Sequence, residues 1–351
     1  MSAKKIRLGE VSVGFTQSIR LALAHLTIDD RELFTRFGLT EKKLSSAHGR
    51  LSIARYMRLG HAATVLSQRQ DFGLLMGRFT STNFLGLAGL CIAQAPNVRT
   101  AAWLFQELEP LYAQNYRGQS CFKLEANQGA WLSFYSISPY NDFNRFVVES
   151  VLKGWCTQLS ELCQESIKPE RVEIEYAPPS YYAAYANFLH CQPHFNAKEN
   201  RIFLSNEQLA LSNPRFCSST FEAIKSLCFS QLEQLKQTFT WRERITHLLA
   251  TALKNGEPTL EQIASLVKLP AWTLRRKLEA EGVQFRQLIN QVRYSLASTY
   301  ISDTELSFSE IAWLLGFSSP EAFQRAFKRW SNLTPGCYRK QAIDQYNQNL
   351  T

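Results

Sequence analysis

Apolar residues recur at three- and four-residue intervals through the last third of the chain, the period of an amphipathic helix. After Ser307 they fall at Ile311, Ala312 and Leu315. After Ser319 they fall at Phe323, Phe327 and Trp330. Ser307 and Glu310 have capping-box spacing, in which the hydroxyl accepts from a backbone N–H and the carboxylate reaches back to the cap. Gly316 ends the first helix, as a residue free to take positive φ can. Ser319 is an N-cap, and Pro320 sits at the first helical position, where the missing N–H costs nothing. Gln324, Arg325, Lys328 and Arg329 lie off the buried side. Two short helices across a tight turn, the second polar and basic outside, predict a helix-turn-helix.

The pattern also occurs about fifty residues earlier. Thr259 and Gln262 form a second capping box, and Leu260, Ile263, Ala264 and Val267 repeat the apolar face. Trp272, Leu274, Arg276 and Leu278 then align with Glu321, Phe323, Arg325 and Phe327. A helix from about Phe285 to Ile301 joins the two units. At 1.5 Å per residue it runs roughly 25 Å, compatible with readers about 34 Å apart, one turn of DNA.

Upstream the periodicity changes. Residues 1–80 read as helical, with helices at Phe15–Leu26, from Asp29 to Gly38, and at Leu51–Leu66. Asn97–Ala113 reads as one long helix and Phe143–Leu162 as another. Stretches beginning at Phe122 and Trp131 flank a polar turn at Asn127 and predict a hairpin. Arg171–Tyr176 alternates as a half-buried strand should, and Arg201–Leu204 reads as a further strand. The fold class is therefore an α+β N-terminal region followed by an all-α C-terminal one. In the helix Phe221–Phe239, residues Phe221, Ile224, Cys228, Leu232, Leu235 and Phe239 form a stripe. It either packs on its own domain or makes a dimer seam.

A length of 351 residues suggests two domains. The net charge of +9 favours an anionic partner but is not concentrated: residues 241–351 hold 14 Lys/Arg and 10 Asp/Glu. Eight cysteines without paired spacing, a polar start and no apolar run long enough for a membrane span point to a cytoplasmic chain with reduced thiols and no membrane contact.

The C-terminal third resembles the DNA-binding domain of the AraC/XylS family of bacterial transcription regulators. The resemblance rests on Ile263-Ala264, Leu274, Arg276, Leu278, Glu281-Gly282, Phe285, Arg293, Glu310-Ile311-Ala312, Gly316-Phe317, Phe323, Arg325, Phe327-Lys328, Thr334-Pro335 and Tyr338-Arg339. Pro270 departs from the usual N-cap, and Asn332 replaces a usual glycine. Phe72–Gly77, Tyr181–Phe188, Cys191, Phe195 and Asn200 resemble the effector domain of the branch that regulates ornithine, arginine and related metabolite use. The resemblance implies an effector domain at 1–240 and a double helix-turn-helix at 241–345. The function expected is a DNA-binding regulator, acting as an activator of a metabolic operon. Its expected partners are promoter DNA, RNA polymerase, an effector such as an amino acid, and a second copy if the stripe is a dimer seam.

A recognition helix reads bases with the outward side chains of its N-terminal turns. Those are Trp272, Thr273, Arg275 and Arg276 in the first unit, and Glu321, Gln324 and Arg325 in the second, with Lys328 following. Arg275 can give two hydrogen bonds to guanine; Arg276 either does so or holds a phosphate. Glu321 either accepts from cytosine or stabilises its helix N-terminus. Arg293 is either a structural ion-pair partner or a phosphate ligand. Tyr181, Tyr182, Phe143 and Arg145 are candidate effector contacts or core residues.

No catalytic motif stands out. His190, Cys191 and His194 lack a second ligand pair for zinc, Gly86 and Gly89 lack a dinucleotide context, and no cofactor is expected. The competing reading is a metabolite-binding enzyme fused to DNA-binding helices.

Overall fold

The computed structural model describes residues 9–115, 119–135, 140–238, 240–253, 256–304 and 306–348. The chain forms two compact units that part between Gln234 and Leu235.

The N-terminal unit opens with β1 (Gly9–Ser12), a 3-10 turn, α1 (Thr16–His25), α2 (Arg31–Arg36), α3 (Glu41–Leu44), β2 (Arg50–Ser52) and α4 (Ile53–Ser67). Then come α5 (Phe72–Arg78), α6 (Leu87–Ala93), α7 (Val98–Glu107), α8 (Glu109–Tyr112) and β3 (Ala113–Asn115). The second half holds β4 (Cys121–Glu125), β5 (Gly129–Phe134), α9 (Arg145–Cys163), β6 (Arg171–Glu173), α10 (Ala183–Leu189), β7 (Asn200–Ser205), α11 (Asn206–Ala210) and α12 (Ser218–Thr238), whose last turn from Leu235 falls in the other unit. Two antiparallel sheets result, ordered β2-β1-β3 and β4-β5-β7-β6.

The expected hairpin is β4–β5, with Asn127 in the left-handed conformation at its turn. Two expectations fail. Residues 1–80 are not all helical, because β1 and β2 are strands; each is too short for a period of two to stand out among helices. The long helix expected at 97–113 breaks after Glu107. Pro110 has no N–H to continue the helical ladder, so the chain restarts as α8 and then enters β3.

Helix α9 forms the spine of this unit, with Val148, Leu152, Trp155, Cys156 and Leu159 in the main core. Helix α5 lies against it. A Cβ on Gly73 would fall 2.6 Å from Phe146 Cα, and one on Gly77 2.5 Å from Lys153 Cβ, so the glycines set the approach of the two helices. Helix α12 returns Phe221, Cys228 and Leu232 to the same core, with Ile224 packed beside them. Four of the six stripe residues thus pack on the N-terminal unit, as in the first of the two readings; Leu235 falls in the other unit, and Phe239 lies outside the described residues.

The C-terminal unit is helical: α13 (Trp241–Ala252), α14 (Leu260–Leu266), α15 (Ala271–Ala280), α16 (Phe285–Asp303), α17 (Phe308–Leu314), α18 (Pro320–Ser331) and α19 (Pro335–Gln348). The joining helix α16 is two residues longer than expected. Helices α14 and α15 pack on each other and on α13, which lies along α16. Helices α17 and α18 pack on each other and directly on α16, with α19 closing the far side.

Candidate nucleic-acid interface and effector cavities

Both capping boxes form as expected. Thr259 and Gln262 exchange hydrogen bonds at the start of α14, and Ser307 and Glu310 do so at the start of α17. The turns that follow have the same geometry. After α17 the Gly316 N–H donates to Trp313 O and the Phe317 N–H to Ala312 O, a Schellman ending with Gly316 at φ 68°. After α14 the N–H groups of Lys268 and Leu269 donate to Ser265 O and Ala264 O, but here a lysine holds the left-handed position at φ 54°. Gly316 has a second constraint: a Cβ there would come within 2.4 Å of Leu253 O.

Each turn delivers a recognition helix with one buried side. Leu274 and Leu278 anchor α15; Phe323, Ala326 and Phe327 anchor α18. Ser319 caps α18 by accepting from the Ala322 N–H, whereas Pro270 gives α15 no side-chain cap. Trp272 is 65% exposed, an unusual position for a tryptophan on a helix whose core is already filled. Arg275, Arg276, Glu321, Gln324, Arg325 and Lys328 are all exposed, and Thr273 is half-buried. The Arg276 guanidinium lies over the Trp272 ring at 5.8 Å. Six of the unit's basic residues sit on these two helices: Arg275, Arg276, Lys277, Arg325, Lys328 and Arg329. Lys277 stacks on Trp241 at 4.7 Å. The Glu321 carboxylate is held below the usual range by its own backbone N–H and the Ser319 hydroxyl, then by Arg325.

Arg293 is structural. Its Nε donates to Leu315 O, Nη2 to Gly316 O and Nη1 to Glu257 Oε2, and its guanidinium covers Phe317. It ties the joining helix to the second turn. Glu281 has a comparable use that sequence reasoning missed. Its two carboxylate oxygens accept from the Trp241 and Arg242 N–H groups, capping α13 where orphan donors need partners.

Among the described residues of the N-terminal unit, a cleft and a smaller cavity could admit a ligand. A cleft of about 480 Å³ lies between α4 and the start of α9, lined by His61, Gln68, Arg69, Asp142, Arg145 and Tyr181, among others. It brings together Arg145 and Tyr181; Tyr182 is exposed elsewhere and Phe143 is buried against His61. Arg145 pairs with Asp142 and lies over the rings of Tyr176 and Tyr181. Its Nε and the Nδ1 of His61 are buried without a hydrogen-bond partner. Behind this wall, Glu149 Oε1 accepts from the hydroxyls of Tyr181 and Tyr185 at 2.6 and 2.5 Å. Burial, only partly offset by those two hydroxyls and by Arg145, pushes the Glu149 carboxyl up to about 7. A separate, smaller cavity of about 90 Å³ lies between α9 and the sheet β2-β1-β3.

Two helix-turn-helix units with exposed basic recognition helices, on a chain whose other unit is α+β with ligand-sized spaces, define a DNA-binding regulator with an effector domain. A family model described as the arabinose-binding domain of AraC transcription regulator, N-terminal, matches residues 28–213, more than half of the chain. A helix-turn-helix domain matches residues 263–341. The chain belongs to the AraC-type transcription regulators. It is 26% identical over 339 residues to the ornithine utilization regulator of Pseudomonas aeruginosa, covering 94% of this chain and 96% of that one. It is 36% identical over 108 residues to the urease operon transcriptional activator of Escherichia coli, covering 31% of this chain and 36% of that protein. The crystal structure of the regulator CdpR from Pseudomonas aeruginosa aligns over 93% of this chain and 98% of its own, with 20% identity and a TM-score of 0.46. Among the described residues, no helix is long and apolar enough to cross a membrane.

Proposed function

We propose that this regulator acts in the cytoplasm, reads base sequence through α15 and α18, and activates a metabolic operon by contacting RNA polymerase when its effector binds. The observation that supports the base-reading part is the exposure of Trp272, Arg275, Arg276, Gln324 and Arg325 on two helices whose opposite sides are buried. Arg275 and Arg325 read base edges; Lys328 and Thr273 bind phosphate; Trp272 packs on a thymine methyl with Arg276 braced against its ring. Glu321 stabilises the start of α18 and accepts from cytosine when that base is present. Arg275→Ala is expected to weaken binding by about 1–3 kcal/mol and to relax the preference at one base pair. An equal loss on all sequences would place Arg275 on phosphate.

The effector in this reading is an amino acid or a related metabolite held in the wide cleft. Arg145 lines the cleft and supplies a guanidinium for a carboxylate, and Asp142 stands beside it for an ammonium group. The cleft volume of about 480 Å³ is ordinary for a small-molecule site. A ligand that binds only the folded chain raises its melting point, so L-ornithine is expected to do so for the native chain and to fail with Arg145→Ala. The reading as an enzyme fused to DNA-binding helices predicts turnover; recovery of the amino acid unchanged after incubation is expected. If a second copy assembles on DNA, its contact uses a surface other than Phe221, Cys228 and Leu232, which the N-terminal core occupies.

A further inference from the structure

The smaller cavity is chemically unlike the cleft. Its floor is one face of α9: Val147, Ser150, Val151, Gly154, Trp155 and Gln158 follow at three- and four-residue spacing. The small residues Ser150 and Gly154 open space that Phe105, Tyr112 and Phe134 then wall with rings. The lining contains no lysine, arginine or histidine among the described residues, and its one carboxyl is Glu109.

Most polar groups that reach this cavity are spent inside the protein. The Tyr112 hydroxyl donates to Phe105 O, the Ser150 hydroxyl to Val147 O and the Ser18 hydroxyl to Phe15 O, while Glu109 Oε2 accepts from the Ser120 N–H. Gln158 is the exception. It is 3% exposed and its Nε2 has no hydrogen-bond partner. A buried amide donor left unpaired is costly, so a site that keeps one gains by receiving an acceptor. Burial pushes the Glu109 carboxyl up to about 7, against a smaller opposing effect of the Ser120 N–H, so an anion entering here meets a group already poorly tolerant of charge.

We propose that this cavity is a second ligand site, distinct from the polar cleft, for a small, uncharged, mainly apolar molecule carrying one hydrogen-bond acceptor that meets Gln158 Nε2. Its size bounds the ligand. A water needs about 10–15 Å³ of such volume, so 90 Å³ corresponds to roughly six to nine water-sized positions, and the ligand has about that many non-hydrogen atoms. An aryl ketone fits this description; an amino acid, with two charges, does not.

The test uses the full chain and four probes: acetophenone, toluene, benzoate and L-ornithine. Acetophenone is expected to raise the melting temperature most, toluene less and benzoate not at all. Any ornithine shift is expected to survive changes at Gln158. In Gln158→Leu the acetophenone affinity is expected to fall about tenfold, to the level of toluene, with toluene unchanged. Gln158→Met, nearly the same length, gives the same readout should the leucine variant fold poorly. The proposal is overturned if neither apolar probe binds, if benzoate binds as well as acetophenone, or if the Gln158 variants keep the ketone preference. DNA binding measured in the same samples separates the two readings. Its loss in the native chain would count against the regulator mechanism, whereas its retention without ketone preference counts against this cavity site alone.

Discussion

Single residues carry the strongest constraints in this chain. Lys268 holds the left-handed turn of the first helix-turn-helix, a conformation that glycine adopts without cost, at the position corresponding to Gly316 in the second. Lys268→Gly is therefore expected to stabilise the C-terminal unit by about 1 kcal/mol in denaturant titration. A loss of stability would mean that the lysine side chain supplies a contact that outweighs its strain. Glu149 makes a prediction about pH. Its carboxyl titrates near 4.5 in an unfolded chain and about 7 in the folded one, so the folded state retains a proton the unfolded state has released. Its contribution is therefore greatest at low pH and declines as pH rises through that window. Glu149→Gln cannot titrate. Its stability relative to the native chain is expected to rise between pH 5 and pH 8 by on the order of 2 kcal/mol. A pH-independent difference would show that the carboxylate stays charged in the fold.

At the scale of elements, the two readers are alike in pattern and unequal in construction. Both have a capping box, a Schellman turn and an apolar anchor of the second helix. The second adds the Ser319 cap, Pro320 and the Arg293 tie, all missing from the first, which has Pro270 and Lys268 instead. Glycine substitutions separate conformational strain from close packing. Gly282 and Gly316 have nearly the same φ, 71° and 68°, but a Cβ on Gly282 meets nothing within 4 Å. Gly282→Ala is expected to cost about 1 kcal/mol, the strain alone, and Gly316→Ala distinctly more. Equal costs in thermal unfolding would mean that the backbone around Leu253 yields freely.

These elements were legible because their signals are local. Ser307 and Glu310, Thr259 and Gln262, Gly316 and Pro320 lie within a few residues of the groups they satisfy. What escaped the sequence depends on distant partners. Strand β1 forms because β2 and β3 supply hydrogen bonds from about 40 and about 100 residues away. The stripe of α12 had two plausible partners, and only the packed core decides between them. Arg69, His61 and Gln158 gave no signal, and Glu281 gave none of its cap on α13, because a lone polar residue says nothing of what surrounds it. Arg145 and Tyr181 were singled out together, while Tyr182 and Phe143, their neighbours in sequence, point elsewhere.

For the whole molecule, DNA binding as proposed has a sequence-blind and a sequence-reading part. The recognition helices carry six of the fourteen basic residues of the C-terminal third, so affinity for any DNA should fall steeply with salt. Lys328→Ala is expected to weaken binding about equally on matched and mismatched sites and to reduce the salt slope by about 1. A change in base preference instead would move Lys328 into the reading set. Helix α16 has 19 residues, roughly 28 Å of rise, which suits two readers entering successive major grooves on one face of the duplex.

Hydroxyl-radical footprinting of the full chain on its selected site, repeated with Arg275→Ala and with Arg325→Ala, measures that arrangement most directly. Two protected segments about one helical turn apart are expected, with the first variant weakening protection at one and the second at the other. Protection confined to a single turn, or both variants fading the same segment, would contradict a tandem of independent readers.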